Sequence, residues 1–145
     1  MYTAINEVDF RGQFRLARNP SADLCAWKNE TARMWTLQFC PSLRTTRLLD
    51  SENHQIGWIL GYAITPEGRL LKQVTHFPLP AREKNLEDEI EKLVSSLAGR
   101  YVAFILTEKS ERIYVDPAGQ LSVVYNTESE TLGSSLFLVS AFEKP

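Results

Sequence analysis

Apolar and polar positions change rhythm several times along this chain, and the dominant rhythm is that of β-strands. Phe10, Phe14 and Leu16 sit among Arg11, Gln13 and Arg15, and Gln13 to Ala17 alternates like a half-buried strand. Asn19-Pro20-Ser21-Ala22-Asp23 is loop chemistry, and Leu24 to Asn29 fits neither the strand nor the helix period. Met34 to Cys40 reads as a strand stopped by Pro41, and Arg44 to Leu49 extends it or pairs with it. Gly57 to Ile64 is the most apolar run of the first half, a buried strand by its length and flanks. Thr65-Pro66-Glu67-Gly68 is a turn, and Arg69 to Thr75 is expected to return as a further strand. Phe77-Pro78-Leu79-Pro80 is an extended connector, because each proline biases its predecessor away from helix.

One stretch has helical rhythm. Leu86, Ile90, Leu93, Val94 and Leu97 fall on one face, which predicts a helix over 86–98. Asn85 is its expected cap, with Asp88 close to the capping-box position and Glu87, Asp88 and Glu89 suiting the helix dipole. Gly99 is expected to close it as a C-terminal cap. Tyr101 to Leu106 is then a second buried strand, and Glu108-Lys109-Ser110 a polar turn. Residues 111–126, ERIYVDPAGQLSVVYN, read as a hairpin. Two strand-like runs flank Asp116-Pro117-Ala118-Gly119, where Asp bonds its own backbone and Gly takes a left-handed conformation. A polar loop over 126–131 leads to a last apolar segment, Leu132 to Val139. The sum is a β-rich α+β domain, mostly antiparallel, with a helix packed on a sheet. Neither repeat nor linker divides it, so residues 1–145 are expected to form a single domain.

Composition narrows the function. The 145 residues include 16 basic and 18 acidic ones, a net charge of −2, which argues against nucleic acid as a partner. Arg11, Arg15 and Arg18 then belong to a solvated face. No run approaches the ~20 apolar residues of a membrane span, and the N-terminal residues lack a secretory pattern, so a cytoplasmic protein without membrane contact is expected. Cys25 and Cys40 are expected as buried thiols rather than a disulfide framework. His54 and His76 stand far apart, and the cysteines lack finger or ribbon spacing, so neither metal nor cofactor is expected. Phosphate-loop motifs are absent, and Leu136 occupies the last glycine place of a nucleophile elbow around Ser134 and Ser135. Trp27, Trp35 and Trp58 are expected in the core.

Four segments, in order, carry a resemblance. They are Leu60-Gly61-Tyr62-Ala63-Ile64, Leu97-Ala98-Gly99-Arg100-Tyr101 running to Leu106, Arg112 to Gly119 with Val124-Tyr125 behind it, and Leu132-Gly133-Ser134-Ser135. Over about residues 56–140 the chain resembles the glutamine amidotransferase domain of asparagine synthetases. Asp116 and Gly119 match that family's D-x-x-G spacing, Tyr125 falls on the second tyrosine of its P-L-Y-Y, and Ser134-Ser135 lie where a strand begins near A-S. The resemblance implies an Ntn-hydrolase-type fold, an antiparallel β-sandwich flanked by helices, here shortened. Gly61, Gly99, Asp116, Gly119, Tyr125 and Ser135 would be its signature residues, structural rather than catalytic.

The departures fall on the family's chemistry. Its nucleophile is an N-terminal cysteine whose own amino group acts as base, and here Met1 is followed by Tyr2. Leu60 and Tyr62 replace the Asn and Glu of its N-G-E, removing an oxyanion donor. Ser122 replaces the Pro of P-L-Y-Y. No catalytic residue is therefore expected. The resemblance implies a non-catalytic domain acting as partner or scaffold of an ATP-pyrophosphatase-type, amide-forming synthetase, with a peptide or small molecule as substrate of the assembly. A stand-alone module binding a small ligand or a protein is the alternative. A hydrolase using Cys25 or Cys40 as nucleophile is the third.

Overall fold

The computed structural model describes residues 12–140. The expectations for Met1-Tyr2, Phe10 and Arg11 lie outside them. The described residues form an α+β architecture of two five-stranded sheets with two helices. They group into two compact units, one joining the residues up to Leu43 to those from Ser122 onward, the other made of Arg44–Leu121. No helix among the described residues is long and apolar enough to cross a membrane.

The first unit holds β1 (Phe14–Ala17), β2 (Lys28–Ala32), β3 (Trp35–Phe39), β9 (Val124–Asn126), β10 (Thr131–Gly133) and α2 (Leu136–Ser140). Its sheet runs β2-β3-β1-β10-β9 and every pairing is antiparallel. β1 lies between β3 and β10, so Phe14, Leu16 and even Arg15 are buried where alternation suggests a half-exposed strand. Gln38, 1% exposed, is tolerated because its amide grips one main-chain unit: Ser21 N–H donates to Oε1 at 2.7 Å, and Nε2 donates to Ser21 O at 2.9 Å. The stretch Leu24 to Asn29 that fits neither period runs from the end of a 3-10 turn, Ala22–Leu24, into the start of β2.

The second unit holds β4 (Thr45–Leu49), β5 (Gln55–Ile64), β6 (Val74–His76), α1 (Leu86–Ser96), β7 (Ala98–Leu106) and β8 (Glu111–Val115), ordered β6-β4-β5-β7-β8. All pairs are antiparallel except β4 with β6. Leu86, Ile90, Val94 and Leu97 bury the apolar face of α1 and its end against Ile59, Tyr101, Ala103 and Ile105. Trp27, Trp35 and Trp58 are all buried.

Several expectations are corrected. β4 does not extend or pair with β3; it lies in the other sheet, between β5 and β6. The return over Arg69–Thr75 shrinks to one bridge, Ile64 to Leu70. Beyond it β4 captures the chain: Arg44 donates to Leu71 O, Thr46 Oγ1 to Lys72 O and Arg47 N–H to Gln73 O. The chain then runs parallel to β4 as β6. Asn85 gives no side-chain cap to α1, because turns closed by Glu83 N–H to Pro80 O and Leu86 N–H to Glu83 O have already wound it into helical conformation. The helix ends at Ser96, and Gly99 is no cap: it sits in β7 opposite Ala63. Residues 111–126 are not a hairpin. β8 pairs with β7 and β9 with β10, in different sheets. Ser134-Ser135 do not begin a strand; they stand between β10 and α2.

Gly61 and Gly99 face each other's strands at close approach. Gly61 has φ +97° and a Cβ there would overlap the carbonyl oxygen of Arg100; Gly99 has φ +116° and its Cβ would overlap that of Tyr62. Gly119, at φ +60°, has open space around it. Gly61→Ala is therefore expected to lower stability by roughly 2–4 kcal/mol, through overlap and strain together. Gly119→Ala should cost about 1 kcal/mol, from backbone strain alone. Urea unfolding of the two variants checks this, and equal losses would contradict it.

Candidate functional site

The fold brings four of the expected signature residues to one place in the second unit. β7 leaves α1 through Leu97 and Ala98, and Gly61 and Gly99 let β5 and β7 approach there. Tyr101 is the next landmark, 2% exposed, with its hydroxyl donating to Val94 O of α1 at 3.1 Å. Asp116 N–H donates to Tyr101 O at 3.0 Å, closing β8 onto β7. The Asp116 carboxylate turns inward and is 1% exposed. It accepts main-chain N–H bonds from Tyr101 at 3.2 Å, Ala118 at 3.0 Å, Gln120 at 3.1 Å and Leu121 at 3.4 Å. Gly119 N–H donates to Asp116 O at 2.9 Å, and the left-handed backbone of Gly119, which glycine adopts readily, leads into Gln120 and Leu121, whose N–H groups reach the carboxylate. Burial alone pushes this carboxyl up, and the N–H groups of Gln120, Leu121, Tyr101 and Ala118 outweigh it, so its pKa lies below the ordinary 3.8. Burial, then the Asp116 charge, pushes the Tyr101 phenol up.

Tyr125 and Ser135 are elsewhere, in the first unit. Tyr125 lies on the edge strand β9 opposite Leu132 and is 53% exposed. Ser135 has a buried Oγ without a hydrogen bond. Both cysteines are in this unit too, and they do not form a disulfide. Cys25, expected to be buried, is exposed where the 3-10 turn ends. Cys40 is buried among Leu24, Trp27 and Leu138, with Sγ 3.1 Å from Ser42 Oγ. Gly12 N–H also reaches Ser42 Oγ, and Ser134 Oγ accepts Phe14 N–H at 3.0 Å. The start of β1 is thus ringed by the Cys40 thiol and the hydroxyls of Ser42 and Ser134, the last also 3.3 Å from Gln13 Oε1.

A second organised carboxylate has no counterpart in the sequence reading. Asp50, fully buried, follows β4 as Asp116 follows β8. It accepts N–H bonds from Glu52 at 2.9 Å, His54 at 2.8 Å and Ala81 at 3.0 Å, and His54 Nδ1 lies 3.3 Å from Oδ2. Burial raises its pKa, the His54, Ala81 and Glu52 N–H groups lower it further, and the balance falls below 3.8. Arg82 reaches both oxygens of Glu52, at 2.8 and 3.0 Å, so the loop after β6 is tied to this turn. Asp50, Glu52 and His54 offer metal-type donor atoms within 4.8 Å of one another. The Asp50 oxygens already receive main-chain protons and Glu52 its guanidinium, so the group's contacts serve to close the turn. Sequence distance misleads for the histidines: His76 Nε2 is 3.0 Å from Asn53 Oδ1, which brings both imidazoles to this one turn. The signal that could have found Asp50 is an aspartate ending an apolar strand run, Leu48-Leu49-Asp50, as in Tyr114-Val115-Asp116.

No family model matches the chain, and neither the curated proteins nor the solved structures give a significant match.

A carboxyl with a depressed folded pKa contributes stability above its unfolded value, and that contribution disappears as pH falls through the folded one. Asp116→Asn is therefore expected to cost on the order of 1–3 kcal/mol at neutral pH, where main-chain donors lose a charged acceptor. The gap between wild type and variant should narrow as pH falls below 3.8, the unfolded value. Chemical unfolding at several pH values tests both points; a gap independent of pH would refute the assigned role.

Proposed function

We propose that the chain is a non-catalytic, amidotransferase-like domain of Ntn-hydrolase type that serves as partner or scaffold for an ATP-dependent, amide-forming synthetase of the asparagine-synthetase kind. The observation that carries this is the meeting of Gly61, Gly99, Asp116 and Gly119 around Tyr101. These residues bear the resemblance, they come from three separate stretches of the sequence, and each has a backbone role at that one junction. The D-x-x-G aspartate has its oxygens turned to main-chain N–H groups, which supports a structural and not a catalytic use of the motif. The Cys40 side chain is buried among Leu24, Trp27 and Leu138, out of reach of solvent, which supports a packing use of that residue. In an assembly with the synthetase, the substrate whose carboxylate is activated would be a peptide or small molecule, and this domain would shape or hold that site.

The test is a binding titration between the purified chain and an ATP-pyrophosphatase-type synthetase, run beside a glutamine-dependent ammonia-release assay. The expected outcome is saturable binding that changes the synthetase's amide formation, with ammonia release at the level of buffer. Ammonia release abolished by Cys25→Ala or by Cys40→Ala would identify a hydrolase instead.

A further inference from the structure

The β8 edge of the second unit's sheet has a hydrogen-bond parity that the register fixes. Among the described residues β8 is an edge strand, paired within its sheet with β7. Asp116 N–H to Tyr101 O at 3.0 Å and Thr107 N–H to Ser110 O at 2.9 Å bracket the pair. In an antiparallel ladder, hydrogen-bonded and non-bonded pairs alternate. Ala103 with Tyr114 and Ile105 with Arg112 are then the bonded pairs, while Val102 with Val115 and Phe104 with Ile113 are not. Tyr114 and Arg112 thus turn their main-chain groups toward β7, and Ile113 and Val115 turn theirs outward. The side chains of Ile113 and Val115 are 46% and 52% exposed. Edges are commonly protected by proline, bulges or inward charge; at these two positions the strand carries β-branched apolar residues instead.

We infer that this edge pairs with the same edge of a second copy of the chain, antiparallel about a twofold axis at Tyr114. In that register Ile113 lies opposite Val115 of the second copy, and Val115 opposite its Ile113. The outward N–H and C=O groups of these residues then bond each other in two closed pairs. Apolar side chains meet apolar side chains on one face, and Tyr114 meets Tyr114 on the other. Arg112 stands across from the Asp116 position, so like charges are not opposed. Moving the axis to Arg112 would set two guanidinium groups against each other. Moving it to Ile113 would place Glu111 across from Val115. The edge is only Glu111–Val115 long. The interface therefore falls short of the roughly 1,200 Å² typical of stable complexes, and the association is weak and concentration-dependent.

Sedimentation equilibrium over a concentration series tests it, with amide hydrogen exchange as the residue-level readout. The average mass is expected to rise from 16.5 kDa toward twice that value. Over the same series the amides of Ile113 and Val115 should slow by about tenfold or more, while those of Arg112 and Tyr114 stay unchanged. Ile113→Pro leaves the β7 ladder intact, since that N–H points outward, and is expected to abolish association. Ile113→Lys should do the same by a different route, so a folding defect in one variant leaves the other decisive. A wild-type mass fixed at 16.5 kDa overturns the inference. So does a mass shift that survives in a natively melting variant. So does protection of Ile113 and Val115 by an unrelated strand-forming peptide while the chain alone stays monomeric.

Discussion

A carboxylate out of water is tolerable only when its oxygens are occupied by donors, and the second unit is organised around that requirement. Asp116 brings Tyr101, Ala118, Gln120 and Leu121 to one charge. The start of the buried part of β7, the end of β8 and the loop beyond it are thereby fixed to one another. Through the Tyr101 hydroxyl the same junction reaches the last turn of α1. Charged acceptors make the stronger kind of hydrogen bond. Asp50 repeats the device at the end of β4, where it holds its own turn and the main chain at Ala81.

Parts of this were legible in the residues. The period of α1, the buried runs of β3, β5 and β7, and the glycine at position 119 are local properties, and local physics suffices for them. The partners of each strand were not legible. Residues 111–126 have every local mark of a hairpin, yet Val115 and Tyr125 belong to different sheets. A turn signal fixes a change of direction, not the strand on which the chain lands. Gly99 failed for a related reason. Its helix-ending position and its close approach to Tyr62 both call for glycine, and sequence alone cannot distinguish them.

The candidate site divides the same way. Asp116 and Gly119 were legible as a motif, since their spacing is short and its chemistry local. Gly61 was legible only through the resemblance, and its crowding against Arg100 becomes visible once β5 and β7 are paired. Asp50 escaped because an aspartate beside Ser51, Glu52 and Asn53 looks like ordinary solvent-facing polarity. Its burial comes from Ala81, thirty-one positions on, donating to the same carboxylate. Groups that act through distant main-chain donors leave almost no trace in composition or period.

The place of β1 has a consequence for how the chain is made. β1 lies between β3 and β10, pairing Arg15 with Gln38 on one side and with Gly133 on the other. During synthesis the first contact is available early, and the second only after the residues up to Gly133 have emerged. Between them the ribosome delivers all of Arg44–Leu121, a unit with its own sheet and helix. The inner unit can therefore be complete while the outer one still lacks its last two strands. Long-range closure of this kind slows folding. It makes the C-terminal strands the step that decides when the first sheet exists at all.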